Sequence, residues 1–458
     1  MIINITIATL VYFTIGCLIF SIIEPSRGVN YNVSLFTFTF IVSLLFCLIY
    51  YNIWLILGLS AHKGVEGLFS PDSSTYYLEA KFIARSNYSG QALERVITDH
   101  YHQLFIAAQL YVFGEHVLIP KIYQVFLSSV SVVLWVTIAR DILRDSKLVN
   151  YFYYLLLFCV PILTFNAHVL KEISLYFATT LAIYGFTKYS YATVKNIRFI
   201  FVALTGIILM FFFRRQFALI ILFSFIIGTL FGAELSLNKK GLWSAISLIA
   251  FFVISTTPIF QQIEATAPLT ERGVVFIGRA ETGRRISSYS EGGMIGSATY
   301  LLQHPITVAP MFAYGSLMVF FHPSFLYSPT EMISRANSRR IGLGGLDYLT
   351  MGYYNLFFTF LLPAFFFGAW YLYKYRRGDP VIISLIVYFI LTNIMLIFGC
   401  DSYRRFKLSY FWPISYLVIC FGIGTYFSWK KYLPFVAIVF GLLLITYLSA
   451  DIIGLVTL

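Results

Sequence analysis

Leu35-Phe36-Thr37-Phe38-Thr39-Phe40-Ile41-Val42-Ser43-Leu44-Leu45-Phe46-Cys47-Leu48-Ile49-Tyr50-Tyr51-Asn52-Ile53-Trp54-Leu55-Ile56-Leu57-Gly58-Leu59 runs without one charged side chain. A helix that crosses hydrocarbon needs roughly 20 mostly apolar residues, so this stretch predicts a membrane-spanning helix. A second such run, Ile3–Ile23, precedes it. After it the chain turns polar at Ser70-Pro71-Asp72-Ser73-Ser74-Thr75-Tyr76-Tyr77-Leu78-Glu79-Ala80. The carboxylate of Asp72 is therefore expected just outside the hydrocarbon, at the mouth of whatever the other helices enclose.

The rest of the chain repeats the pattern. Further charge-free runs are Ile122–Ala139, Tyr151–Phe165, Ile173–Phe186, Phe199–Phe213, Phe217–Phe231 and Leu242–Ile259, then Tyr353–Leu372, Val381–Phe398, Leu408–Phe427 and Leu433–Leu448. The fold class expected is all-α, a polytopic integral membrane protein of about twelve transmembrane helices. Composition agrees, because 59% of the 458 residues are hydrophobic and 11% charged, too few charges to cover a soluble protein of this size. The net charge of +12 is then read as cytoplasmic loops and contacts to lipid phosphate, not as a nucleic-acid signal. The cysteines show no metal or disulfide spacing.

Short basic loops set the sidedness. Arg140, Arg144 and Lys147 share one, Lys188, Lys195 and Arg198 another; Lys239–Lys240, Lys374 with Arg376 and Arg377, and Lys430–Lys431 mark three more. Alternation puts all five on one face, joined by Arg27, and the positive-inside tendency makes that face cytoplasmic. Tyr101–Leu118 and Leu301–Tyr327 are apolar but broken by His, Gly or Pro, and are expected as interfacial or re-entrant segments. The predicted organisation is an N-terminal transmembrane block over 1–260 with an external loop at 60–121, a long external loop over 261–350, and a C-terminal transmembrane block over 351–458.

Charge then appears on the outer side where a bland turn would suffice. The features are Asp72 with Glu79 and Lys81; Lys171-Glu172; Arg214-Arg215; and Asp401 with Arg404, Arg405 and Lys407. Basic residues in outer turns suggest a bound phosphate or a carboxylate partner, and arginine grips phosphate with two parallel hydrogen bonds. Solvated or snorkelling helix-end charges would look alike at any one position. The long loop adds Arg284 and Arg339 among its arginines. His100 and His102, with Glu115-His116, could share a metal on an extended segment. A divalent metal stays open as a cofactor, since no set of residues in the sequence fixes a ligand shell.

The layout resembles the GT-C superfamily of polytopic glycosyltransferases, which includes protein-mannosyltransferase-like and lipid A aminoarabinose-transferase-like families. The residues that carry the resemblance are Asp72 followed by Tyr76-Tyr77 and Ala80, an interfacial helix ending in aromatic-Gly at Phe113-Gly114, and a spanning helix entered through Glu115–Lys121. Glu172 would be the second acid, and Arg404-Arg405 before Trp412-Pro413 the late basic element. The resemblance implies a polyprenyl-phosphate-linked sugar donor, a glycan or lipid acceptor, and chemistry at the external face of the bacterial inner membrane. It further implies Asp72 as general base, Lys171, Arg214, Arg215, Arg404 and Arg405 on the departing phosphate, and Glu172 orienting the acceptor or holding a cation. Two alternatives stay open: a Wzy-type surface-polysaccharide polymerase that uses Arg284 or Arg339, and a polytopic transporter or flippase.

Overall fold

The computed structural model describes residues 2–23, 29–56, 61–62, 65–66, 68, 71–88, 101–192, 196–233, 345–399 and 411–426, with single positions 241, 245, 434, 437 and 441. At some of these, Asp72 and Arg215 among them, only the backbone is described. In chain order the helices are α1 (Ile2–Ile23), α2 (Val29–Ile56), α3 (Pro71–Arg85), α4 (His102–Phe113), α5 (Leu118–Leu143), α6 (Ser146–Leu157), α7 (Val160–Asn166), α8 (Lys171–Tyr191), α9 (Arg198–Phe213), α10 (Arg215–Phe231), α11 (Gly345–Tyr375), α12 (Pro380–Gly399) and α13 (Phe411–Tyr426). Between α2 and α3, β1 (Ala61–His62) and β2 (Val65–Glu66) form a two-rung antiparallel hairpin. Among the described residues the architecture is all-α apart from that hairpin.

Among the described residues, three helices are long and apolar enough to cross a membrane: α1, α2 and α5. They become four if α6 and α7 count as one bent span. The expected run Leu301–Tyr327 lies outside the described residues, and Leu242–Ile259 and Leu433–Leu448 are described only at single positions. The run Tyr151–Phe165, expected as one span, is two helices bent by 43°. The cause is Pro161 in the first turn of α7, which has no N–H to give and whose ring excludes a continuous helix across Phe158 and Cys159. The segment Tyr101–Leu118, expected as interfacial or re-entrant, holds the helix α4 (His102–Phe113), and Asp72, expected in a polar turn, lies in the first turn of α3 behind Pro71. Proline suits that position because its missing N–H would have no helical partner there.

The chain divides into two compact units. One comprises Met1–Arg215, Leu326–Leu372 and Leu408–Leu458; the other comprises Gln216–Phe325 and Tyr373–Lys407. In the first unit α5 is buried on nearly every face, with α1, α2, α6 and α8 around it. Helices α8 and α9 pack so closely that a Cβ on Gly206 would overlap the backbone of Ala182. Such close approach gains van der Waals contact that bulkier residues forbid. In the second unit Asp379 starts α12 by accepting from Val381 N (3.0 Å) and Ile382 N (3.3 Å). Its carboxylate also meets Arg376 at 2.5 Å.

The first unit has two polar ends. At one, Arg140 donates to Asn32 (3.2 Å) and stacks over Tyr31. Beside it, Lys188 Nζ sits 2.9 Å from Asp141 Oδ2, a charge contact whose alignment falls outside hydrogen-bond geometry. Asp145 caps α6 at this end through Lys147 N. They belong to two of the five basic loops that the sequence places on one face. The other end carries α3, α4, the α7–α8 bend and the close of α9.

Candidate functional site

Helix α3 presents Ser73, Ser74, Tyr76, Tyr77, Ala80, Ile83 and Ala84 inward and leaves Leu78 and Phe82 exposed, the two-sided pattern of a helix lying along an interface. Tyr76, one helical turn after Asp72, is the hub. Its ring meets His102 of α4 edge-on at 5.6 Å, and Lys171 Nζ lies over it 5.9 Å from the ring centre. His102 in turn places Nδ1 3.5 Å from Ser174 Oγ of α8 and packs against Phe213 at the end of α9. Four helices thus converge on one buried aromatic and cationic cluster.

Lys171 and Glu172 open α8. Its N-cap, Leu170, offers no side-chain cap, so the first amides of a long buried helix point outward with the positive end of the dipole. Glu172 suits that position electrostatically; Lys171 does not. Both are buried, Lys171 at 8% and Glu172 at 2% exposure. The bend before them is equally closed: Gln124 Nε2 of α5 donates to Leu170 O (2.7 Å), and the Cys47 thiol of α2 donates to Asn166 O (3.7 Å). Gln124 Oε1, both amide atoms of Asn166 and Glu172 Oε2 are buried without a hydrogen-bond partner. Buried polar groups in proteins are nearly always satisfied, so this bend has spare capacity to bind a polar group.

One turn before Gln124, Lys121 is fully buried with Nζ 4.8 Å from the Tyr51 ring centre. A lysine in the first turn of α5 stands against both desolvation and the helix dipole. Sequence reading treated it as the end of a polar entry stretch; an isolated lysine directly after Ile119-Pro120 was the signal available. Gln124 and Asn166 are not among the expected site residues, because amides in apolar runs carry no distinctive pattern, and His102 is expected only as a metal ligand on an extended segment.

Of the expected residues, the structure brings together Tyr76, Lys171 and Glu172, with the backbone of Asp72 one turn from Tyr76. Arg214 follows Phe213 directly, half-buried, and closes α9 through its N–H to Met210 O. Arg215 begins α10 and is described by its backbone. Arg284, Arg339, Arg404 and Arg405 lie outside the described residues, as does the Asp72 side chain. Glu79 accepts from Gln103 (2.9 Å) and Lys81 pairs with Glu115 (3.1 Å), so those charges hold helices together. The Arg85 guanidinium first, with Lys81 beside it, holds the Glu115 carboxyl down at about 2. His102 sits in a helix rather than an extended segment, His100 lies outside the described residues, and among the described residues no three His, Cys, Asp or Glu side chains gather to hold a metal.

No protein-family model, no curated protein and no solved structure matches this chain.

Proposed function

We propose that this all-α membrane protein is a glycosyltransferase of about twelve spans that moves a sugar from a polyprenyl-phosphate-linked donor to a cell-envelope glycan or lipid acceptor, at the external face of the bacterial inner membrane. The observation that carries the reading is Lys171, buried over the ring of Tyr76, which lies one turn from Asp72 on α3. A lipid-linked donor keeps its tail among the helices and its phosphate at this depth. Asp72 takes the proton of the acceptor hydroxyl as that oxygen attacks the anomeric carbon. The bond from that carbon to the phosphate oxygen breaks, and the phosphate leaves with the electron pair. Lys171, the amides opening α8, and Arg214 and Arg215 offset the charge that develops there. Glu172 orients the acceptor or one of those cations.

The test is Asp72→Asn in vesicles supplied with polyprenyl-phosphate sugar. Transfer falls by about 10²–10⁴-fold if the carboxylate is the base, and unchanged transfer removes the mechanism.

A second reading, a transporter, draws on one observation. The hydroxyls of Tyr176, Thr179 and Thr187 on α8 are buried without hydrogen-bond partners, a row of spare polar groups with which a polar solute passing along the helix would pair. Substrate uptake by reconstituted protein, with no glycosidic bond made, would favour it.

A further inference from the structure

We propose that Glu115 is a positioning residue: it fixes helix α3, and with it Asp72 and Tyr76, to the elbow between α4 and α5. The catalytic consequence rests on the function proposed above; the placement of α3 does not. Tyr77, Lys81 and Arg85 are spaced four apart, which puts them on one face of α3, and all three reach the same residue. The Tyr77 hydroxyl donates to the Glu115 carbonyl at 2.9 Å. Lys81 Nζ lies 3.1 Å from Oε2, while Arg85 donates through Nε to Oε1 (2.5 Å) and through Nη2 to Oε2 (2.6 Å). One carboxylate thus gathers the C-terminal half of the helix. Isolated pairs at a surface contribute little, but a two-pronged arginine contact within a network is the exception.

The elbow can serve as a reference because it is itself set. Gly114 adopts φ +96, which a side chain would strain, and a Cβ there would press on the Asn4 amide. Its N–H closes α4 on Leu110 O (2.9 Å), and Ile119 N returns to His116 O (3.0 Å) as α5 begins. Whatever holds α3 to Glu115 therefore holds it to the buried core of the unit.

Geometry makes this matter. A helix rises about 1.5 Å per residue, so Asp72 is about 20 Å along the axis from Arg85. A tilt of about 5° about the clamped end carries it ~2 Å, more than the ~1 Å misplacement that can cost a reaction about a hundredfold. With the Glu115 carboxyl held at about 2, the clamp stays closed at any physiological pH.

The experiment compares the full chain as wild type, as Glu115→Gln, and as the charge-swapped pair Arg85→Glu with Glu115→Arg. In the swapped chain Lys81 meets the new acid one turn on. Amide hydrogen exchange and transfer from polyprenyl-phosphate sugar are read together. Glu115→Gln is expected to speed exchange over residues 71–85 by about tenfold, to leave 171–191 unchanged, and to lower kcat more than it raises KM. The swapped pair restores both readouts. Unchanged exchange over 71–85, equal loosening of 171–191, or no recovery on swapping overturns the proposal. If α3 loosens and recovers while wild type transfers no sugar, the positioning inference stands and the glycosyltransferase reading falls.

Discussion

Helix α8 carries a lysine near each end, and the two could hardly be held more differently. Lys188 faces Asp141 at 2.9 Å, at the C-terminal end where the helix dipole favours a cation. Lys171 begins the same helix at its positive end, buried over the ring of Tyr76, beside a glutamate and an asparagine with unused hydrogen-bonding capacity. The first arrangement accounts for its lysine by structure alone. The second costs desolvation and dipole energy together, about 1 kcal/mol for the dipole and more for burial. Four helices converge around Lys171, whereas the Lys188 end is a set of discrete ties between neighbours.

The comparison breaks most easily at the lysines themselves. Lys171→Met is expected to lower sugar transfer by about 10²–10³-fold, while Lys188→Met leaves transfer within about threefold; similar losses at both ends would erase the distinction. Stability runs the other way. Lys188→Met strands the Asp141 carboxylate and is expected to lower unfolding stability by about 2 kcal/mol, read as a lower denaturation midpoint with Asp141→Asn as partner in a double-mutant cycle. A smaller effect sharpens the contrast at the bend. Asn166→Leu removes two unpartnered amide atoms, so stability should hold or rise by at most about 1 kcal/mol while donor binding weakens. A clear loss of stability instead would mean that Asn166 is a packing residue.

The smallest expected effect is none. Glu115 has its pKa depressed in the folded protein, so its stabilisation is fully present above the unfolded carboxylate value. It is lost only as pH falls through the folded one, near 2. Exchange protection over residues 71–85, corrected for intrinsic rates, should therefore be flat from about pH 5 to 8. A step in that window would point to a different group holding α3.

Much of this was legible in the chain. Uncharged runs announced α1, α2 and α5, and basic loops announced that Arg140 and Lys188 share an end, because both signals are local in sequence. The pairing of Tyr76 with Lys171 is not legible there, since the two stand in separate stretches, Tyr76 after Asp72 and Lys171 before Glu172. The bend at Phe158–Cys159 was readable from Pro161 and was passed over in favour of a straight span. Lys121 was passed over too, since a single lysine at the border of an apolar run looks the same whether it snorkels to water or is sealed inside.

By itself, the sequence determined that this protein is helical and membrane-embedded, and which of its loops are basic. Hydrocarbon excludes unsatisfied backbone and charge over a length that can be counted along the chain. Only the tertiary structure decided which polar residues became a site. Glu79, Lys81 and Glu115 looked as available as Lys171 and Glu172, yet packing joined the former to one another and to Gln103 and Arg85. It buried the latter at the head of α8, because desolvation and partnership depend on neighbours that come from distant parts of the chain.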